Sequence, residues 1–116
     1  ELFTDTPQWR QFIAEDPLAL HAVTSSFLNT GKDLDDIVAA HAARILCPVL
    51  LMLAGRDTII DNIKTRELVT RFETYHLTSI CYPNACHTLE FEADRAKIFS
   101  DLTEWLRTRP TGVIYR

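Results

Sequence analysis

Glycine is scarce in this chain, with only Gly31, Gly55 and Gly112 among 116 residues. No two of them frame a serine and none forms a cluster. The sequence therefore has neither a G-x-S-x-G turn nor a glycine-rich loop whose backbone N–H groups could wrap phosphate, and a small nucleotide-binding α/β domain is disfavoured. Cysteine is also sparse. Cys47, Cys81 and Cys86 are odd in number and lack C-x-x-C spacing, so they indicate neither a disulfide framework nor a zinc site. They read as reduced thiols in the core or lining a site, which favours a cytoplasmic setting. Clustered basic residues are missing, and the net charge is −4, which argues against a nucleic-acid partner. The longest apolar run, from Val49 to Ala54, falls far short of the roughly 20 residues of a spanning helix, so no transmembrane segment is predicted. Repeats, low-complexity stretches and long linkers are absent, and nothing divides the chain into two domains.

The periodic pattern is that of an α/β protein. Thr6 before Pro7 and Asp16 before Pro17 each place a capping side chain ahead of a proline suited to the first helical position, so two short helices are predicted after them. Leu20, Val23 and Phe27 mark one face of the second, and Asn29-Thr30-Gly31 supplies its end. A third helix is predicted from Asp33 to Ala43, with Leu34, Ile37, Val38 and His41 on one stripe. Pro48 to Ala54 is apolar on both alternations, the pattern of a parallel strand covered on both faces. A helix from Asn62 to Phe72, a strand from Leu77 to Tyr82 and a helix from Asp94 to Arg107, closed by Pro110, complete the order αααβαβα. Such alternation predicts parallel pairing. Two apolar strands alone leave edges and faces uncovered, so further strands are expected from an upstream segment or a second copy, and self-association is expected in either case.

Functional groups of open α/β sheets gather on loops after the carboxyl ends of strands. The first such loop carries Asp57 after Gly55-Arg56, and the second, Pro83-Asn84-Ala85-Cys86-His87, carries His87. Adjacent strands lie about 5 Å apart, so the two side chains can meet, the acid fixing the tautomer of the ring. Asp57 could instead merely cap its turn, and Asp61 competes with it, although Asp61-Asn62 stands where a helix cap is wanted. Glu90 and Glu92 with His87 could be drawn as a metal site, but the spacing fits solvated or capping carboxylates better. Cys86 reads as a small half-buried residue rather than a reactive thiol. His21, His41 and His76 have no acid beside them and read as helix-surface, helix-stripe and loop residues. Trp9, Phe12, Leu20, Phe27 and Leu28 read as core rather than as the lining of a lipid-binding cap.

The run from Pro48 to Asp57, with Ile59-Ile60-Asp61-Asn62 after it, resembles the acid-bearing strand and loop of α/β-hydrolases of the lysophospholipase and monoacylglycerol-lipase type. Tyr82-Pro83-Asn84-Ala85-Cys86-His87-Thr88-Leu89-Glu90-Phe91-Glu92 resembles their histidine loop, and the helix ending at Trp105-Leu106 their last helix. The first 45 residues fit a helical cap only loosely. The resemblance implies the C-terminal half of the fold: one incomplete domain over residues 1–116, with a cap region and its return over 1–45 and the C-terminal core over 46–116. It implies that Asp57 and His87 are the acid and base of a Ser-Asp-His triad whose serine and oxyanion hole lie upstream of this chain. Acylglycerol or lysophospholipid-like esters are the implied substrates, with no metal or cofactor. The chain alone is expected to be inactive and to need a Ser-bearing half or a second copy. The alternative is a self-associating, non-catalytic module built on the same fold.

Overall fold

The computed structural model describes residues 2–20 and 22–108. Helix α1 (Pro7–Glu15) starts as expected, with Pro7 in its first turn and the Thr6 carbonyl accepting from the Trp9 and Arg10 N–H groups. The helix predicted after Asp16-Pro17 does not form. Asp16 turns its carboxylate onto the Leu18 N–H at 2.9 Å, and the turn ends when Ala19 N–H reaches the Asp16 carbonyl. The local side-chain bond competes with a helical start and wins.

A single helix α2 (Ser25–His41) replaces the end of the predicted second helix and the third as far as His41. Thr24 caps it by accepting from Phe27 N–H at 3.1 Å. Gly31 was expected to end a helix but lies inside this one with ordinary negative φ. A mid-helix glycine costs only about 1 kcal/mol relative to alanine, too little to break a capped 17-residue helix. His41 ends the helix, its Nδ1 at 2.8 Å from the Ile37 carbonyl oxygen, and a 3-10 turn, Ala42–Arg44, follows. His21, Pro110 and Gly112 lie outside the described residues.

Strand β1 (Val49–Ala54), helix α3 (Asn62–Val69) and strand β2 (Leu77–Tyr82) follow, one residue later in starting and three earlier in stopping than predicted for β1 and α3. The helix gives way to 3-10-type bonds, Arg71 N–H to Leu68 and Phe72 N–H to Val69, which tighten its last turn. The strands pair in parallel from Val49↔Leu77 to Ala54↔Tyr82. After a 3-10 turn at Leu89–Phe91, helix α4 (Arg95–Arg107) lies on the sheet. Two polar contacts fix it there: Tyr82 donates its hydroxyl to Asp101 at 2.9 Å, and Trp105 donates its indole N–H to Thr78 at 3.1 Å.

The core sits at the carboxyl ends of the strands, where Ala54, Tyr82, Ala85 and Ile98 are buried against Met52, Ile80 and Leu89. Along β2 burial alternates, with Thr78, Ile80 and Tyr82 covered while Leu77, Ser79 and Cys81 face outward. The sheet is thus covered on one face by α4, and among the described residues no third strand pairs with either edge. Cys47 and Cys81 are exposed, contrary to the expectation for all three cysteines, and only Cys86 is buried.

The α2 arm is the larger departure from expectation. None of its residues is buried; of the residues expected in the core, Phe12, Leu20, Phe27 and Leu28 are exposed, and so are Leu34 and Ile37 on the predicted stripe. Arg71 ties the arm to α3's exit by donating to the Ala39 carbonyl. The radius of gyration is accordingly 16.7 Å, against about 13 Å for a close-packed chain of this length. By contrast α1 is anchored: Trp9 stacks on Phe91 with ring centroids 4.6 Å apart, Phe12 meets both rings edge-on, and Arg95 lies over Trp9.

Candidate active site

The two loops at the carboxyl end of the sheet are laced together before either functional side chain is reached. Gly55 N–H donates to the Tyr82 carbonyl at 2.8 Å and Arg56 N–H to the Ala85 carbonyl at 2.9 Å. This contact requires glycine, because a Cβ on residue 55 would stand 2.5 Å from Pro83 Cα and 2.6 Å from its carbonyl oxygen. Beyond the turn, Asn62 donates its amide to the Ala54 carbonyl at 2.7 Å and ties the start of α3 to the strand end.

Asp57 is held from two sides. Its Oδ1 accepts the Ile59 and Ile60 N–H groups at 2.8 and 2.9 Å, and its Oδ2 lies 2.9 Å from His87 Nδ1. The carboxylate is 7% exposed and the imidazole 30%. Burial by itself pushes the Asp57 carboxyl up, but the bonds from Ile60, His87 and Ile59 together outweigh it, so the group sits below the ordinary aspartate range. An ionised Asp57 can only accept, so His87 Nδ1 is the donor and Nε2 is the ring nitrogen left for another partner. Among the described residues no hydrogen bond reaches Nε2. The turn-capping role and the acid–imidazole contact, alternatives in the sequence, coexist on one side chain.

Asp61 does not compete for the ring. It caps α3, accepting from Ile63 and Lys64 N–H at 3.0 and 3.1 Å. Glu92 accepts the Cys86 N–H at 2.8 Å, and among the described residues no group of three His, Cys, Asp or Glu side chains converges as metal ligands would. The Cys86 thiol is pushed up by burial and then by the charge of Asp5, with Arg56 opposing, which keeps it protonated. His76 lies in the loop before β2, away from the site.

Several site neighbours have no signature in the sequence. Residues 2–6 lie along the histidine loop, where the Phe3 carbonyl accepts Thr88 N–H at 2.9 Å and the Phe3 ring meets the His87 ring edge-on at 6.0 Å. Asp5 pairs with Arg56 at 2.7 Å and Arg10 at 3.2 Å, and its carboxyl is lowered chiefly by Arg56. Phe3 also borders a mainly apolar cavity of about 340 Å³, lined further by Leu2, Thr4, Arg10, Ile13 and Ala14. Only the three-dimensional structure brings Phe3 to a loop more than 80 positions away.

A family model described as serine aminopeptidase, S33, matches residues 1–94. The match includes the N-terminal helices as well as both site loops, and so reaches further toward the N-terminus than the strong resemblance over Pro48 to Leu106. No curated protein matches the chain. With 94 of its 116 residues matched, and with parallel strands, flanking helices and an acid–histidine pair at their carboxyl ends, the chain belongs to the S33 serine aminopeptidase-like family of the α/β-hydrolase superfamily.

Proposed function

We propose that this chain carries the acid and the base of a Ser-Asp-His triad in a hydrolase of carboxylic esters, with Asp57 orienting His87 and the serine contributed from outside these 116 residues. On this reading residues 1–45 are the cap region and its return, and residues 46–116 the C-terminal core of the fold. The observation that carries the proposal is the 2.9 Å contact between Asp57 and His87 Nδ1, with the second carboxylate oxygen saturated by two backbone N–H groups. That arrangement leaves the acid one orientation and the ring one free nitrogen.

His87 Nε2 takes the proton of the serine hydroxyl as its oxygen bonds to the ester carbonyl carbon. The imidazolium, stabilised by Asp57, then gives that proton to the leaving alcohol as the C–O ester bond breaks. Water repeats the cycle on the acyl-enzyme. The apolar cavity beside Phe3 supports an ester with one apolar acyl chain, of the acylglycerol or lysophospholipid kind, because its size is at the low end for ligand pockets and its walls offer few polar groups.

The test combines this chain with a polypeptide supplying a strand, a G-x-S-x-G turn and a helix. The expected result is ester hydrolysis and fluorophosphonate labelling of the added serine in the mixture, neither with this chain alone, and a loss of at least about a thousandfold with His87→Ala. A covalent adduct on a serine of this chain, or turnover indifferent to His87→Ala, would overturn the proposal.

The strand edges, unpaired among the described residues, and the exposed apolar residues of α2 favour a second reading, a self-associating module without catalysis. Concentration-dependent assembly, with no hydrolysis when the serine-bearing part is supplied, is its distinguishing outcome.

A further inference from the structure

His87 stands on a loop with no regular secondary structure, and its neighbours on either side are pinned by different means. Thr88 N–H is held by the Phe3 main-chain carbonyl, whereas Cys86 N–H is held at 2.8 Å by the side-chain oxygen Oε1 of Glu92. Glu92 is well placed for this. It immediately follows the 3-10 turn Leu89–Phe91, its N–H donates to the Leu89 carbonyl at 3.3 Å, and its own carbonyl accepts Arg95 N–H at 3.3 Å. The carboxylate is therefore hung from a backbone that α4 fixes, and it closes the loop from residue 86 to residue 92 into a ring.

We infer that Glu92 is a positioning residue, whose carboxylate holds the Cys86 N–H and thereby keeps the His87 ring in hydrogen-bonding register with Asp57. The functional meaning rests on the triad reading above, but the geometric statement can be tested without it. A charge-assisted bond of this kind contributes more than a neutral one, and its loss frees the backbone one residue from the imidazole. The ring needs only a small swing to lose a 2.9 Å contact.

The readout is the Nδ1 proton of His87, followed by nuclear magnetic resonance in the full 116-residue chain with isotope-labelled histidine. In the parent chain this proton is expected downfield and protected by Asp57. Glu92→Ala should speed its exchange by about ten- to a hundredfold, while the amides of β1 exchange as before. Glu92→Gln, which keeps an acceptor oxygen, should restore most of the protection. A purely structural role would move the β1 amides together with the ring proton. Unchanged protection in Glu92→Ala overturns the inference, as does an equal loss in Glu92→Gln. Should Glu92→Ala fail to fold, Glu92→Asp decides: it keeps the charge but withdraws it by one methylene, so retained protection refutes the role and lost protection supports it. Because the signal involves no serine and no substrate, its failure is distinct from failure of the ester-hydrolase reading.

Discussion

The same substitution, glycine to alanine, is expected to have opposite effects at two positions. At Gly55 a Cβ would lie 2.5, 2.6 and 2.8 Å from the Cα, carbonyl oxygen and carbonyl carbon of Pro83, all of them main-chain atoms. Relief requires the backbone at residue 55 or 83 to move by about 1 Å, since ordinary carbon contacts lie near 3.5–4.0 Å. That movement strains the bonds from Gly55 to Tyr82 at 2.8 Å and from Arg56 to Ala85 at 2.9 Å. Overpacking costs about 1–3 kcal/mol and each of the two weakened hydrogen bonds up to about 1 kcal/mol, so Gly55→Ala should destabilise by about 1–5 kcal/mol. At Gly31 nothing lies within 4 Å of the added methyl and φ is already negative. Gly31→Ala should therefore stabilise by about 0.5–1 kcal/mol through helix propensity and reduced unfolded-state entropy. Urea unfolding monitored by tryptophan fluorescence and by circular dichroism measures both changes. A Gly55→Ala shift below about 0.5 kcal/mol would refute the claim that the two loops touch through that glycine.

Three further outcomes follow from the site and its surroundings. Because the Asp57 carboxyl is held below its ordinary value, its ionised form favours the fold, and that stability is present above about pH 4 and is lost as pH falls through the folded value. The difference in urea midpoint between the parent and Asp57→Asn should accordingly shrink under acid titration, and a gap constant with pH would contradict the assignment. Tyr82 is pushed up to about 12 by burial and by the adjacent Asp101, so its neutral form favours the fold and stability falls as pH rises from about 10 through that value. Absorbance titration should show a late-titrating phenol that Tyr82→Phe removes. In a thiol-alkylation time course Cys47 and Cys81 should react promptly and Cys86 at least about tenfold more slowly, since it is buried and kept protonated. Three equally fast thiols would show that the histidine loop opens freely.

The parts of the fold legible in the sequence are those whose signals are local and mutually consistent. Val49–Ala54, apolar on both alternations between Pro48 and Gly55, and Leu77–Tyr82, stopped by Pro83, are short runs bounded by turn formers, and Asp61 announces α3 as a cap. The N-terminal third misled because its signals compete. Asp16-Pro17 can start a helix or close a turn, and the choice falls to a single 2.9 Å bond to Leu18. Asn29-Thr30-Gly31 can end a helix, but a glycine stop works through positive φ, and Gly31 keeps negative φ inside α2. Phe27 and Leu28 of α2 read as core from the sequence yet are exposed, because periodicity reports that a face wants cover and carries no information about whether the same chain provides it.

The acid and the histidine were legible for a geometric reason that the register makes explicit. Ala54 is paired with Tyr82, so both strands end level. Asp57 then lies three positions beyond its strand end (57 − 54) and His87 five beyond its own (87 − 82). The two additional residues on the histidine side let that loop cross back over the neighbouring strand end, which is where Pro83 meets Gly55 and Ala85 accepts from Arg56. A bulky residue at position 55 would lift the loop off and carry the ring beyond reach of the carboxylate. The spacing of Asp57 and His87 therefore acquires its meaning only together with the glycine between strand and acid. Phe3 stayed invisible, and Glu92 was legible only as a solvated or capping carboxylate with no partner assigned, because both act on the loop's backbone, at Thr88 and Cys86, and a backbone N–H leaves no mark of its own in a sequence.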